Sequence, residues 1–394
     1  MRILAIANAF PKFEEEFEGN YIYKQLKAFS DEGVEVRIIA PTIWLPRFLS
    51  LSKGKMGRYA SVPKTRTINN LSVQYPRMPL YNQMYGRWIE EPNKYYQIYK
   101  RAIYKIVCKT IEEFDPDVIY TTGIFMEGLL GLDIKQKYNL PYLFVENSVP
   151  RLKDAMRIPT LKSEYRKIVD NAKVFICVSS KQMQILKENG VDSRSIQCVP
   201  NGFEIEKTET QKERSDTFRL ITVGFMDDRK GYPMILKALA DMNKQGMKIQ
   251  YTAIGGGHKL EEYINTAESL GIKNFCNFVG RVPHIDVVSF LTNSDIFVLP
   301  SYDESFGIAY LEAMACHVPV LMTAGEGISD LMENEKDCLM IERGNYEQLV
   351  HYLEKAYKDR RWLDQIAENG FERSNEFSWK KNAEALLEVI QANA

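Results

Sequence analysis

Apolar runs typical of buried strands alternate with helical patterns along most of the chain, and this alternation constrains the fold more than any other feature. A first series runs from residues 2–8 to 196–199, and a second runs from residues 218–223 to 338–341. Alternating strands and helices form parallel sheets that helices cover on both faces. A chain of 394 residues is long enough for two such domains, each with its own core.

The polar stretch at residues 204–216 separates the two series, directly after the turn signal Asn201-Gly202. Its many charges and few apolar residues are typical of an exposed linker. We therefore predict an α/β protein with two Rossmann-like domains, at residues 1–202 and 203–378. In open α/β sheets ligands bind beyond the carboxyl ends of the strands, so the loops that follow strands are where we expect chemistry.

The most informative of these loops carries Glu304 and leads to Glu312. The apolar run before it predicts a buried strand, and the spacing after it predicts a helix that begins between Ser305 and Gly307. Eight helical positions span roughly 12 Å, whereas retaining glycosidases hold their two carboxyl groups only about 5 Å apart. The two glutamates are therefore predicted to grip the ends of one elongated ligand, such as a nucleotide-sugar. Two ordinary surface glutamates are the alternative.

Three segments in this region resemble the donor-site signature of retaining glycosyltransferases of family 4, which have the GT-B fold. They are residues 295–301 (DIFVLPS), 304–307 (ESFG) and 311–316 (LEAMAC), and the similarity recurs in at least five segments of the chain. The resemblance implies two Rossmann-like domains that face each other across a cleft, with residues 379–394 as a helix that completes the first. It also implies that the first domain takes the acceptor and the second takes the nucleotide-sugar donor.

The resemblance assigns roles to the residues of this signature. Glu304 would hold hydroxyl groups of the donor sugar. Three backbone groups would assist it, those of Ser305, Phe306 and Gly307. Glu312 would hold the ribose hydroxyls. No side chain is assigned as a nucleophile or base, because in this family the leaving phosphate oxygen takes the acceptor proton during attack from the same face.

Lys230 stands between a strand and a helix, in the segment 223–231. A cation at a helix start lies where phosphate oxygens dock, and it indicates a bound anion because it opposes the helix dipole. An exposed turn with incidental charges is the alternative. Where the resembled motif carries an arginine this chain has Phe225, so Arg229 is predicted to supply that charge. Lys230 and Arg229 are thus our candidates for stabilising a departing diphosphate.

Three further candidates lie in loops after strands. Gly19 precedes a helix, where backbone N–H groups can approach a phosphate, although a plain capping loop explains it equally well. Val282 follows a strand, and the resemblance implies that its backbone contacts the base, with an ordinary strand end as the alternative. Asn147 stands where the family commonly has a histidine facing the donor sugar, and its amide can hydrogen-bond a hydroxyl.

The histidines and cysteines indicate no metal centre. Four histidines and six cysteines show neither metal-ligand nor catalytic-triad spacing. We therefore expect no metal and no cofactor. The resemblance implies a UDP- or GDP-linked sugar as a substrate. Scattered cysteines favour reduced thiols in a cytoplasmic protein. The first apolar run is too short for a signal peptide, and no apolar stretch approaches the ~20 residues that span a bilayer.

Residues 42–110 are strongly basic. They hold thirteen basic residues and two acidic ones, a net charge of +11, although the whole chain has a net charge of −1. Apolar residues precede a basic cluster at 44–58, and basic and aromatic residues mix in a predicted helix at 93–109. Such mixtures are typical of contact with an anionic membrane surface, so we expect peripheral binding at the inner face of the cell membrane. A solvated basic face over an ordinary core is the alternative. The sequence carries no recognised nucleic-acid motif.

The resemblance favours a retaining hexosyltransferase that moves a sugar from a nucleoside-diphosphate-sugar to a glycan or a polyprenyl-diphosphate-linked acceptor. In layout the chain is most similar to bacterial enzymes of capsule, teichuronic-acid or O-antigen assembly, which implies cell-surface polysaccharide synthesis. One alternative is a nucleotide-sugar epimerase of the same fold, which would need acid–base residues that we do not locate. The other is a catalytically silent, membrane-associated scaffold, which Phe225 and Asn147 favour.

Overall fold

The computed structural model describes residues 1–13, 19–51, 54–78, 91–123, 125–191, 194–205 and 215–392. The chain divides into two compact units. Met1–Pro200 and Trp379–Ala394 form unit 1, and Asn201–Ser378 forms unit 2. Most of the predicted linker (206–214) lies outside the described residues, as do Lys53, Arg87 and Glu90 of the basic segment.

Unit 1 is built on an eight-stranded sheet in the order β10-β9-β8-β7-β1-β2-β5-β4. The strands are β1 (Arg2–Ala7), β2 (Glu35–Ile39), β4 (Thr65–Ile68), β5 (Leu71–Gln74), β7 (Val118–Thr122), β8 (Tyr142–Glu146), β9 (Val174–Cys177) and β10 (Ile196–Cys198), with β3 (Thr42–Ile43) and β6 (Arg77–Met78) as a separate pair. Only β4 is antiparallel to its neighbour in the described sheet. Strands β8 and β9 are buried along their whole length, which explains why their residues are apolar except for Glu146 at the end of β8.

The helices of unit 1 include one from the end of the chain. They are α1 (Asn20–Asp31), α2 (Lys55–Ser61), α3 (Pro92–Phe114), α4 (Phe125–Tyr138), α5 (Val149–Arg157), α6 (Pro159–Asn171), α7 (Ser180–Glu188) and α14 (Trp379–Ala392). Buried hydrogen bonds fix α14 in place. The side chain of Asn382 accepts from Gln25 Nε2 at 2.8 Å and donates to the carbonyl oxygen of Pro200 at 2.7 Å.

Helix α3 corrects one prediction. Its apolar side chains, among them Tyr99, Ile103 and Val107, are fully buried in the core of unit 1. The helix therefore turns its apolar side inward and its basic side outward, which is the alternative of a solvated basic face over an ordinary core. This burial contradicts insertion of the apolar side of residues 93–109 into a membrane, whereas contact of the exposed basic side with an anionic surface stays a prediction.

Unit 2 contains a six-stranded parallel sheet in the order β13-β12-β11-β14-β15-β16. Its strands are β11 (Phe218–Val223), β12 (Ile249–Ile254), β13 (Cys276–Gly280), β14 (Ile296–Val298), β15 (Val320–Thr323) and β16 (Leu339–Ile341). Its helices are α8 (Tyr232–Lys244), α9 (Leu260–Ser269), α10 (His284–Thr292), α11 (Ile308–Ala315), α12 (Tyr346–Lys358) and α13 (Arg360–Ser374). The strand order reverses between β11 and β14, and ligands of open α/β sheets bind at such a point.

Two α/β units with largely parallel sheets confirm the predicted fold class at the level of each unit. Within the described ranges, no helix is both long enough and apolar enough to cross a membrane.

Candidate active site

The candidate site lies beyond the carboxyl ends of β11 and β14, the two strands at which the order of the unit 2 sheet reverses. Lys230 follows β11 and Glu304 follows β14. The Lys230 ammonium forms an ion pair with Glu304 Oε2, and the two side chains are only 15% and 12% exposed. Two charges that stand 74 positions apart in the sequence are thus joined at the carboxyl edge of this sheet, where ligands of open α/β sheets bind.

The Glu304 carboxylate has further donors around it. Ser301 Oγ lies 3.3 Å from Oε2, and the backbone N–H of Ser305 donates to Oε1 at 3.2 Å. Burial by itself would raise the pKa of Glu304, but Lys230 and then Arg229 lower it, so that the pKa lies below its ordinary value. Glu304 is therefore an ionised carboxylate held in a fixed position beside a cation.

A second buried carboxylate, Glu326, lies next to this pair. Its Oε2 accepts a hydrogen bond from the backbone N–H of Glu304 at 3.1 Å. Sequence reasoning missed Glu326, although it stands between Gly325 and Gly327 in the loop after β15. Both glycines have positive φ angles, 71° and 58°. A Cβ on Gly327 would come within 2.4 Å of the Phe306 carbonyl oxygen, so this glycine lets the loop pack against the Glu304 segment.

The Glu304 segment differs from its predicted shape. Helix α11 begins at Ile308, not between Ser305 and Gly307, because Gly307 stands before it with a φ of 88°. A Cβ on Gly307 would lie 2.4 Å from the ring of Tyr310. Glu312 is therefore in the second turn of α11, and only half of the eight residue positions that separate it from Glu304 are helical. The expected 12 Å separation does not apply.

Glu312 has a partner that the sequence did not reveal. Its Oε1 lies 2.8 Å from Nε2 of His284, the first residue of α10. The predicted base-contacting residue, Val282, is half-buried in the short loop between β13 and α10. Sequence reasoning gave His284 no role because it belongs to no ligand spacing. Its position two residues after Val282 was the available signal.

Lys230 and Arg229 sit in a short turn, Asp228–Lys230, before α8. Gly231 caps this helix with a φ of 72°, and a Cβ there would lie 2.7 Å from the Pro300 carbonyl oxygen. The backbone N–H of Tyr302 donates to the Arg229 carbonyl at 2.8 Å. The glycine and this hydrogen bond bring the loops after β11 and β14 together.

Asp227 holds the Arg229 side chain. Its Oδ2 accepts hydrogen bonds from Arg229 Nη2 at 2.5 Å and from Nε at 3.2 Å, and its Oδ1 accepts from the Arg229 backbone N–H at 3.0 Å. Sequence reasoning did not foresee this pair. Phe225, where the resembled motif has an arginine, is 44% exposed, with its ring 6.0 Å from that of His258.

Two predicted site residues lie in unit 1. Gly19 caps α1 with a φ of 81°, and a Cβ there would fall 1.4 Å from the Ala9 carbonyl oxygen. This close approach requires a glycine whatever the loop binds. Asn147 follows β8, and its Nδ2 donates to Thr122 Oγ1 at 2.8 Å. Its Oδ1 is buried without a partner among the described residues.

Glu146 precedes Asn147 and is fully buried. Its Oε1 accepts from the backbone N–H of Ser148 and its Oε2 accepts from the Tyr165 hydroxyl, each at 2.8 Å. Burial raises the pKa of Glu146 to about 7, although these hydrogen bonds oppose the rise. Glu146 thus ties the loop that carries Asn147 to α6.

The structure therefore gathers most of the predicted residues at one edge of unit 2, and it adds Asp227, His284 and Glu326 to them. Over the described part of the chain, no group of three or more histidine, cysteine, aspartate or glutamate side chains is arranged to hold a metal ion.

Two family models match the chain, one in each half. The model described as Glycosyltransferase Family 4 matches residues 19–207, and the model described as Glycosyl transferases group 1 matches residues 204–373. Both halves are thus similar to glycosyltransferases, and together the matches span nearly the whole chain.

Curated relatives point the same way. A D-inositol 3-phosphate glycosyltransferase from Corynebacterium jeikeium is 26% identical over 295 residues, which cover 68% of this chain and 70% of the relative. The putative teichuronic acid biosynthesis glycosyltransferase TuaC of Bacillus subtilis is 24% identical over 410 residues, which cover 99% of this chain and 98% of the relative. Both relatives are named as glycosyltransferases.

A solved structure with a similar fold is that of Anabaena Alr3699/HepE in complex with UDP. Its TM-score is 0.72 at 15% identity, and the match covers 100% of both chains. At this identity the likeness concerns the fold, and it confirms the predicted GT-B fold. With glycosyltransferase models matching both halves, the chain is a glycosyltransferase with the GT-B fold.

Proposed function

We propose that the chain is a retaining glycosyltransferase that moves a sugar from a UDP- or GDP-linked donor to a glycan or a polyprenyl-diphosphate-linked acceptor in cell-surface polysaccharide synthesis. The observation that carries this proposal is the buried ion pair of Lys230 and Glu304 at the reversal point of the unit 2 sheet. A cation for a diphosphate and a carboxylate for sugar hydroxyls meet there. The similar Anabaena structure contains UDP, and the full-length relative TuaC is named for teichuronic acid.

In the proposed reaction the bond between the sugar C1 and the diphosphate oxygen breaks, and a bond from C1 to the acceptor oxygen forms on the same face. The acceptor proton passes to the departing phosphate oxygen, so that charge and atoms balance. Negative charge grows on the diphosphate, and preorganised cations are the most effective way to stabilise it. Lys230 carries three N–H donors. It can therefore donate hydrogen bonds to Glu304 and to a phosphate oxygen at the same time.

Arg229 is the second cation of the proposal. Asp227 accepts from its Nε and Nη2, but a guanidinium has five donors. The remaining donors can reach a phosphate while Asp227 keeps the side chain in place. In this proposal Asp227 and Arg229 together replace the arginine that the resembled motif has at the position of Phe225.

The other assignments follow the residues around this pair. Glu304 accepts hydrogen bonds from the sugar hydroxyls, together with the backbone of Ser305, Phe306 and Gly307. Glu312 accepts from the ribose hydroxyls, and its contact with His284 fixes its direction. Val282 contacts the base.

Unit 1 supplies the remaining candidates of the proposal. Asn147 offers its buried Oδ1, which has no partner in the described chain, to a donor-sugar hydroxyl. The backbone at Gly19 contacts the diphosphate. The first domain (1–202, with 379–394) takes the acceptor, and the second (203–378) takes the donor.

We also propose that residues 44–58 contact an anionic membrane. Four large apolar side chains are exposed there, those of Trp44, Phe48, Leu51 and Met56, with Phe48 at 72% and Leu51 at 89%. Exposed Lys55 and Arg58 accompany them. Exposed apolar and basic residues in one short segment are typical of interfacial binding.

Sedimentation with vesicles tests the membrane contact. The double variant Phe48→Ser/Leu51→Ser should bind phosphatidylglycerol vesicles several-fold less than the wild type, because it loses the most exposed apolar area. Phe275→Ser, which removes an exposed ring of unit 2, serves as the control. Equal binding of the double variant and the wild type would refute the contact.

The first test of the enzyme is a thermal shift with UDP, GDP and ADP. One nucleotide should stabilise the wild type, and Glu312→Ala should lose most of that shift because the ribose hydroxyls lose their acceptor. Glu333→Ala, an exposed glutamate of the same unit paired with Lys336, should keep it. An unchanged shift in Glu312→Ala would sink the ribose assignment.

Turnover separates the remaining alternatives. Glu304→Ala should retain the nucleotide shift and lose most of the transfer, since the sugar is no longer held. Transfer should persist with EDTA, because the proposal includes no metal. Conversion of the donor without any acceptor would instead indicate the epimerase, and nucleotide binding without turnover on any acceptor would indicate the scaffold.

A further inference from the structure

Glu326 lies beside the Glu304 segment, but the proposed reaction gives it no role. It follows β15, and β15 pairs in parallel with β14, so the loops after the two strands leave the same edge of the sheet side by side. Glu326 is buried, with only 3% of its surface exposed. A polar group is costly to bury unless it is hydrogen-bonded, so the partners of this carboxylate indicate what it does.

The segment that Glu326 contacts has an unusual backbone. Asp303 has a φ of 56° and Gly307 has a φ of 88°, and both values lie in the left-handed region. An aspartate in this region costs free energy, so it persists where the surrounding structure holds it. Between these two residues, the N–H of Glu304 donates to Glu326 Oε2 at 3.1 Å. Glu326 therefore holds the main chain of the very residue whose side chain is paired with Lys230.

The loop that carries Glu326 is itself fixed on two sides. The Glu326 backbone N–H donates to Ser329 Oγ at 3.0 Å, and Ser329 is buried. On the other side the loop packs directly on the Glu304 segment. A Cβ on Gly327 would come within 3.0 Å of Glu304 Cγ and 2.4 Å of the Phe306 carbonyl oxygen. A shift of this loop would therefore move the Glu304 segment as well.

Two attachments thus define where the Glu304 carboxylate points. Lys230 holds the side chain by an ion pair, and Glu326 holds the main chain by a hydrogen bond. A group that grips a ligand works best when supporting contacts of this kind fix its direction. Loss of the second attachment would leave the Glu304 carboxylate present and let the segment 303–307 relax from its left-handed backbone.

We propose that Glu326 is a positioning residue of the sugar transfer. Its carboxylate accepts from the Glu304 N–H and so fixes the segment 303–307 in the conformation that presents the Glu304 carboxylate to the donor sugar. Glu326 acts through Glu304 and does not touch the sugar. The inference rests on the proposed function, because it takes Glu304 to be the group that holds the sugar hydroxyls. It adds the residue on which the direction of that group depends.

Two conservative variants separate the reach of the side chain from its charge. Glu326→Gln keeps an oxygen acceptor at the same distance, whereas Glu326→Asp keeps the carboxylate and is one methylene shorter. Hydrogen exchange of the ligand-free chain, read by mass spectrometry with fragmentation to single residues, reports the Glu304 N–H directly. Its exchange should be about tenfold faster in Glu326→Asp than in the wild type. Glu326→Gln should lie closer to the wild type.

Titration calorimetry tests the consequence for the donor. The probes are UDP, GDP, UDP-glucose, UDP-N-acetylglucosamine and GDP-mannose. Glu326→Asp should bind the free nucleotide as the wild type does, and it should bind the nucleotide-sugar that the wild type prefers about tenfold more weakly. Glu304→Ala should show the same split, because it removes the group that Glu326 positions. The control is Glu333→Ala, which removes an exposed glutamate from the same stretch after β15 and should match the wild type in both assays.

The outcomes separate the role of Glu326 from the proposed function. Wild-type exchange at the Glu304 N–H in Glu326→Asp, or equal defects in Glu326→Asp and Glu326→Gln, would overturn the positioning role. An unchanged affinity of Glu326→Asp for the nucleotide-sugar, while that of Glu304→Ala falls, would refute the role of Glu326 alone. An unchanged affinity of Glu304→Ala would refute the proposed role of Glu304 and the inference with it. No binding of any probe by the wild type would refute the proposed function, and hydrogen exchange would still decide whether Glu326 holds the Glu304 N–H.

Discussion

Two largely buried carboxylates, one in each unit, lie at the carboxyl ends of parallel strands, and yet their pKa values shift in opposite directions. The pKa of Glu146, the last residue of β8, rises to about 7 because burial dominates. The pKa of Glu304, after β14, lies below its ordinary value, although burial acts on it too, because Lys230 and Arg229 are close. The presence of a cation is what separates them.

The difference teaches that the partner, not the position in the fold, decides the charge of such a group. The donors that the structure describes around Glu146 are neutral: the Tyr165 hydroxyl and the backbone N–H groups of Ser148 and Asn147. A neutral donor compensates only part of the cost of burying a charge. Glu146 is therefore suited to holding a loop, and Glu304, which stays ionised at neutral pH, is suited to gripping a ligand.

The largest effect is expected when Glu304 is made to resemble Glu146. Lys230→Met leaves a buried carboxylate without its cation, which should cost about 3 kcal/mol of folding free energy at pH 8. The pKa of Glu304 should then rise above its ordinary value. A carboxyl whose pKa is higher in the folded chain than in the unfolded chain destabilises the fold as the pH rises above its unfolded pKa. The loss of folding free energy in Lys230→Met should therefore grow between pH 5 and pH 8. Urea unfolding across this range measures it.

A second variant separates the charge from the packing. Lys230→Met/Glu304→Gln removes both charges, so its deficit should be smaller than that of Lys230→Met at pH 8 and should not change with pH. Lys244→Met removes an exposed cation of the same unit, paired with Asp241, and should cost less than about 1 kcal/mol. A pH-independent deficit in Lys230→Met would show that Glu304 does not depend on this cation.

The next effect concerns Glu146 itself. Glu146→Gln is neutral at every pH. Between the unfolded pKa and about 7, the wild-type carboxyl is protonated in the folded chain and ionised in the unfolded chain. The folded state of the wild type binds the extra proton, so wild-type stability should fall relative to the variant by about 3 kcal/mol from pH 5 to pH 8. Glu188→Gln, which removes an exposed glutamate of α7, should show no such trend. A flat difference between Glu146→Gln and the wild type would place the pKa of Glu146 outside this range.

Much of the fold could be predicted from local patterns. Strand β11, for example, has the bounds that its largely apolar sequence predicts, residues 218–223. The antiparallel pair β4 and β5 was not predicted. Strand β4 is at the edge of the sheet and β5 lies next to it. Each alternates more exposed and less exposed residues over only four positions, which is too short for a clear period.

The site was predictable only in part. The rule that ligands bind beyond strand ends was enough to select Lys230 and Glu304. Their direct contact could not be predicted, because it depends on how two loops that are 74 residues apart in the sequence pack together. His284 and Glu326 were missed for the same reason, since their roles come from neighbours in space and no motif in the sequence marks them.

The smallest expected effect compares one neutral donor at each carboxylate. Tyr165→Phe removes the hydroxyl that donates to Glu146, so it should cost about 1–2 kcal/mol at pH 8 and less at pH 5, where this carboxyl is protonated. Ser301→Ala removes the 3.3 Å contact to Glu304 and a 2.8 Å contact with the Tyr310 hydroxyl. Glu304 still has Lys230 as its partner, so the variant should cost about 1 kcal/mol at either pH. Urea unfolding at both pH values measures how the loss of folding free energy in each variant changes between pH 5 and pH 8. Equal changes in the two variants would mean that Glu146 and Glu304 carry the same charge in the folded chain, and the contrast between the two units would fail.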